Sequence, residues 1–173
     1  MEKMNKNGFI LDIIVWIIIA FVTVIFFGAW IYAHDVLTDT LVAIPTSNGL
    51  NISDAATDII VPVNNALPSG LNIVAFVILF MLGLAIPITN YFVKSNPLYF
   101  IVYIFIIVVA VILSAYVSNA YETLAGTSPI GTSIGGLSAA GFILLWLPLW
   151  TTIIGFLGAI FLFINIVRER DRF

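Results

Sequence analysis

From Pro97 to Ser118 the chain reads PLYFIVYIFIIVVAVILSAYVS, without one charged side chain. Runs of about 18 or more apolar residues without charge have the length of a bilayer crossing. Three further stretches behave alike. The chain is 62% hydrophobic and 9% charged, where soluble domains carry about 25% charge. A water-soluble body of 173 residues cannot hide that much apolar surface, because a small domain buries only part of its chain. The sequence therefore predicts an all-α integral membrane protein. It has four antiparallel transmembrane helices in a single membrane domain, residues 1–173.

The spans fall at about residues 9–33, 73–92, 97–118 and 137–167. The first starts close behind Lys3 and Lys6, as a signal peptide would. Its apolar run of about 25 residues exceeds a signal core and no small-residue cleavage pattern follows, so it reads as a retained anchor. Trp16 stands near one end and Trp30 and Tyr32 near the other, at the levels that aromatic belts favour. Leu37, Leu41 and Ile44 continue the helical spacing outward until Pro45 stops it. In span two, Gly83 and Pro87 predict a kink. Asn96-Pro97 makes a tight turn into span three, with Pro97 at a first helical position. Span four is longer than one crossing needs and carries Pro148, so a kink or strong tilt is expected.

Two outer connections remain, 34–72 and 119–136. The first is rich in Asn, Ser, Asp, Thr and Pro and reads mostly as loop. Within it, SDAATDIIV predicts a short amphipathic helix, with Ser53 as N-cap, Asp54 at the positive helix start and Pro62 limiting its length. Its apolar stripe would lie on the membrane surface or pack on another subunit. Asp54, Asp58, Ile59 and Ile60 are the candidate interaction residues. The second connection, with Gly126, Pro129, Gly131, Gly135 and Gly136, is also a loop.

Charge sets the orientation. Lys3 and Lys6 precede span one, Lys94 follows span two, and Arg168, Arg170 and Arg172 follow span four. With four crossings these three segments share one face. The two opposite connections hold no Lys or Arg but carry Asp35, Asp39, Asp54, Asp58 and Glu122. This is the positive-inside pattern, and it puts both termini on the cytoplasm-equivalent side.

Candidate chemistry is sparse. The chain has no cysteine, which removes thiolate nucleophiles, disulfides and cysteine metal sites. Asp12 sits at the start of span one, where an intramembrane carboxylate is a functional candidate but also suits the helix dipole and the headgroups. His34-Asp35 is a surface pair, with no second histidine in the chain. Asn51-Ile52-Ser53 fits a glycosylation sequon. GTSPIGTSIGG lacks the lysine of a phosphate-binding loop. Ser114, Ser118 and Tyr121 share one face of span three beside Asn119, and Thr151, Gly155 and Ala159 form a small-residue column on span four. Such columns let helices approach closely, within one chain or between copies. No catalytic, cofactor or metal site emerges. No basic, aromatic-interleaved patch points to specific nucleic-acid binding.

Two segments, SNPLYFIVYIFIIVVAVILSAYVSNAYETL and LPLWTTIIGFLGAIFLFINIVRERD, resemble small multi-span membrane proteins of tailless icosahedral phages with an internal membrane. The shared features are an Asn-Pro helix entry, a Ser-Asn-Ala-Tyr-Glu exit, a Trp-Thr-Thr kink and a basic end. The resemblance implies a non-enzymatic virion protein in many copies, touching capsid through its outer loop. It carries over no functional residue. The expected function is thus structural, with the lipid bilayer and either copies of itself or other membrane or capsid proteins as partners. The competing readings are a holin-like pore former, a small channel, or an accessory subunit of a cellular membrane complex.

Overall fold

The structure, a computed structural model, describes residues 11–44, 51–92 and 97–170, with side chains to Arg168. Its helices are α1 (Asp12–Val42), α2 (Ile52–Ala55), α3 (Val61–Phe92), α4 (Pro97–Ala125), α5 (Ile130–Gly135), α6 (Ser138–Leu145) and α7 (Leu147–Arg170). Between α2 and α3 lies one π-helical turn, Ala56–Ile60. There is no strand among the described residues. Four helical segments are long and apolar enough to cross a bilayer: Asp12–Val42, Ile52–Phe92, Pro97–Ala125 and Leu147–Arg168. The all-α four-span expectation is met. Many of these residues are Ile and Val, which are mediocre helix formers in water. In lipid the backbone has no water to bond, so the helix satisfies it regardless.

Each span turns one narrow stripe inward. On α1 the stripe is Ile13, Trp16, Ile17, Ala20, Val24, Gly28 and Ile31; on α4 it is Tyr103, Ile107, Ala110, Ser114, Ser118 and Tyr121. Steps of three and four residues keep each stripe on one helix face. Against them stand Ala75, Leu79, Gly83 and Ile86 of α3, and Leu144 and Leu147 at the junction of α6 and α7. The remaining faces are apolar and open: Phe92, Phe105 and Tyr116 are exposed by about two thirds or more. A soluble protein avoids contiguous apolar patches of this kind. Acyl chains solvate them.

The connection 34–72 is not mostly loop. α1 runs to Val42, and a continuous helical rod begins at Ile52 and ends at Phe92. Pro62 does not end it. The preceding turn widens, so that the Val61 N–H bonds the Ala56 carbonyl, five residues back. The wider turn makes room for the proline ring and absorbs the missing donor. Pro68 also lies inside the rod, packed against the site of Gly136. The N-cap is Asn51 rather than Ser53: the Asn51 Oδ1 accepts from the Asp54 N–H at 3.2 Å. Ser53 instead donates to the Val42 carbonyl at 2.8 Å and ties the rod to the end of α1. Higher up the pair, Asn64 Nδ2 donates to Asp35 Oδ1 at 2.8 Å. The SDAATDIIV helix therefore stands against α1, with Ala56 buried in the contact.

The connection 119–136 is likewise largely helical. α4 continues to Ala125, and α5 tucks back against α1. Ile134, fully buried, presses on α1 where a Cβ on Gly28 would lie 2.5 Å from its Cγ1. Only a glycine admits the short helix at that depth. Span four divides at Trp146. The break puts Pro148 in the first turn of α7, where a missing N–H is harmless. Ser118 donates to the Leu145 carbonyl at 2.8 Å, satisfying a backbone group beside the break.

Candidate functional site

Three features stand out from the apolar bundle. The first is a polar knot near the end where α3 and α4 meet. Asn90 Nδ2 donates to the Tyr103 hydroxyl at 2.9 Å, and both side chains are almost wholly buried. Both rest on Gly158 of α7, where a Cβ would collide with the hydroxyl and the amide nitrogen. The Asn90 Oδ1 has no partner among the described residues. Inside lipid a hydrogen bond between helices is worth about 0.6–2 kcal/mol, so the knot fixes α3, α4 and α7 in register.

The second is the crossing of α1 with α3. Trp16 Nε1 donates to the Leu79 carbonyl at 3.0 Å. The indole lies over Gly83, where a Cβ would stand 3.3 Å from Nε1 and 2.8 Å from Ile154 Cδ1 of α7. Gly83 is thus where three spans touch. Pro87, one turn on, is buried in the same seam.

The third is the outer arm, formed by the end of α1 and the helical stretch from Ile52 to about Asn72. It carries Asp39, Asp54 and Asp58, all exposed, and Asp35, half-buried against Asn64. Ile59 is 67% exposed and Val63 53%, while Ile60 turns partly inward. Asp54, Asp58 and Ile59 are therefore each accessible. At the base of the arm Asn72 crosses to α6: its Oδ1 accepts from the N–H groups of Ala139 and Ala140 at 2.9 and 3.2 Å. A side chain of one helix thus caps the start of another. Replacing Asn72 with alanine is expected to cost about 1–2 kcal/mol, a cap lost with two N–H groups stranded. Thermal unfolding in detergent would show it, and an unchanged midpoint would remove the capping role.

The remaining sequence candidates fall as follows. The column Thr151, Gly155 and Ala159 is buried inside the chain. A Cβ on Gly155 would sit 3.0 Å from Ile107, and Ala159 packs with Tyr103 and Ile107, so this part of the column faces α4 and not another copy. Thr151 Oγ1 is buried without a partner among the described residues, while Thr152 donates to the Pro148 carbonyl at 2.7 Å. Asp12 begins α1 and lines a lipid-facing groove with Leu82, Ala85, Ile86 and Thr89. His34 lies 6.3 Å from Trp30, ring to ring. Lys3, Lys6, Lys94 and Arg172 lie outside the described residues. Arg170 ends α7, and Arg168 bonds Tyr91 at 3.2 Å.

Asn90, Tyr103 and Gly158 were not among the sequence candidates. Two signals bear on them: an asparagine within an apolar span, and a glycine three residues after Gly155. Among the described residues, no three His, Asp or Glu side chains converge as metal ligands. Comparison with protein-family models, with curated proteins and with solved structures finds no match to this chain.

Proposed function

We propose that the chain is a non-enzymatic structural protein of a membrane, which docks a capsid or other partner protein through its acidic outer arm. The observation that carries this reading is the length of the Ile52–Phe92 rod. Its 41 residues span about 60 Å at 1.5 Å per residue, twice the roughly 30 Å of a hydrocarbon core. The excess is ordered, braced on α1 through Ser53 and Asn64, and presents acids beside exposed Ile59 and Val63. A braced, amphipathic arm costs little further ordering when it binds.

The filled interior supports a scaffold over a pore within one chain. Ile17, Ala20, Val24, Leu79, Leu144 and Leu147 are fully buried along the axis, and Ser114 and Ser118 spend their hydroxyls on backbone carbonyls. Vesicles carrying the purified chain are expected to retain an entrapped dye as well as empty vesicles do. Release of the dye would favour the holin-like or channel reading.

The virion internal membrane is the setting that the phage resemblance supports, with the chain present in many copies. Mass spectrometry of the membrane fraction of purified particles tests it: enrichment there supports the setting, and recovery only in native cellular membrane complexes would favour the accessory-subunit reading. The reading also has both termini on the basic side. Cysteines placed at Thr127 and at Ser95 are therefore expected to react with an impermeant label from opposite faces of sealed vesicles. Labelling of both from one face would overturn the four-crossing orientation.

A further inference from the structure

At the basic end of the bundle the last turns of α3 and the middle of α7 leave an apolar slot between them, lined by Ile88, Tyr91, Phe92 and Phe161. Tyr91 stands edge-on to Phe161 at 6.0 Å and to Phe92 at 5.3 Å. Ile88 is 54% and Phe92 75% exposed, so the slot opens outward. Seven residues after Phe161, two turns along α7, comes Arg168. Its Nη1 donates to the Tyr91 hydroxyl at 3.2 Å. Arg168 and Tyr91 thus meet at the exposed surface of the bundle, beside the slot. The guanidinium has five N–H donors, and among the described residues a single neutral acceptor takes one of them. Among the described residues it makes no ion pair. Among the described residues the Tyr91 hydroxyl accepts from Arg168 and donates to none.

We propose that this corner binds an anionic phospholipid, its headgroup phosphate held by Arg168 and Tyr91 and one acyl chain laid in the slot of Ile88, Phe92 and Phe161. The two halves of the site call for one molecule that is both phosphate and hydrocarbon. A free anion leaves the aromatic slot bare. A neutral acyl chain leaves the guanidinium unmatched. Arginine and phosphate form charge-assisted hydrogen bonds of the stronger class. Lipid is also the solvent at this depth, so the ligand is already at hand. The site lies at the opposite end from the outer arm and does not depend on what the arm docks.

The test is native mass spectrometry of the full chain released from mixed bilayers of phosphatidylglycerol and phosphatidylcholine with identical acyl chains. The wild-type chain is expected to retain phosphatidylglycerol preferentially. Arg168→Gln should lower that retention about tenfold, the loss of one charge-assisted contact. Tyr91→Phe, which keeps the ring, should lower it by a smaller factor. Arg172→Gln should leave it unchanged, and millimolar glycerol phosphate should not compete. Equal retention of the two lipids by the wild type would overturn the proposal. So would an equal loss in Arg168→Gln and Arg172→Gln, which marks diffuse attraction. Displacement by glycerol phosphate would assign the corner to a soluble anion instead. Circular dichroism of each variant separates lost binding from lost fold.

Discussion

Replacing Gly158 with valine is expected to lower the stability of the bundle by about 3 kcal/mol or more, the sum of an overpacked contact and a broken buried pair. Any side chain at 158 enters the space of the Tyr103 hydroxyl and the Asn90 amide. Neither can swing out to solvent, because both are almost wholly buried. Asn90 already leaves its Oδ1 without a partner among the described residues, and losing Tyr103 would strand its Nδ2 as well. The effect should appear as a lowered unfolding midpoint in detergent and poor recovery of monodisperse protein. Gly70 provides the control. A Cβ there meets nothing within 4 Å, so Gly70→Ala should be neutral or stabilise slightly, as alanine is the better helix former. Equal behaviour of Gly158→Val and Gly70→Ala would show that the Asn90–Tyr103 pair does not hold the helices.

Trp16→Ala is the second large change. In a water-soluble protein, deleting a buried tryptophan costs about 3–5 kcal/mol, part of it the transfer of apolar surface to water. That part shrinks here, because lipid is as apolar as the core. What remains is the cavity, the lost dispersion contacts with Gly83 and Ile154, and the bond to the Leu79 carbonyl. The expected loss is roughly 2–3 kcal/mol. Trp16→Phe keeps most of the ring and removes only the N–H, so about 1 kcal/mol should go. Chemical unfolding of the two variants side by side separates packing from hydrogen bonding. Identical losses would mean that the indole volume contributes nothing.

The spans were legible because a bilayer imposes one requirement, apolar length, that needs no knowledge of neighbours. The break near Pro148 was legible for a similar reason, since the missing donor is a local property. Of the arm, only the short SDAATDIIV helix was. The residues after it, 62–72, contain Pro62, Pro68, Gly70, Ser69 and three Asn, the composition of a loop by any local rule. They are helical because α1 runs beside them. Ser53 reaches Val42 and Asn64 reaches Asp35, partners 11 and 29 residues away. Asn72 serves α6 from 67 residues away, which no window of sequence contains. The packing residues divide in the same manner. Gly83 and the Thr151, Gly155 and Ala159 column could be found by spacing, but spacing does not say which helix they meet. Gly158 acquires its meaning only from Asn90 and Tyr103, which two other spans deliver to it.

The Ile52–Phe92 rod has one further consequence. A partner docked on its tip, as proposed, would be held off the bilayer by a strut of set length. Any gap between lipid and neighbour is then written in residues, at about 1.5 Å each. Adding seven residues, nearly two whole turns, should widen that gap by about 10 Å while leaving the contact face aimed almost as before. Adding two should widen it by about 3 Å and swing the face round to the wrong side.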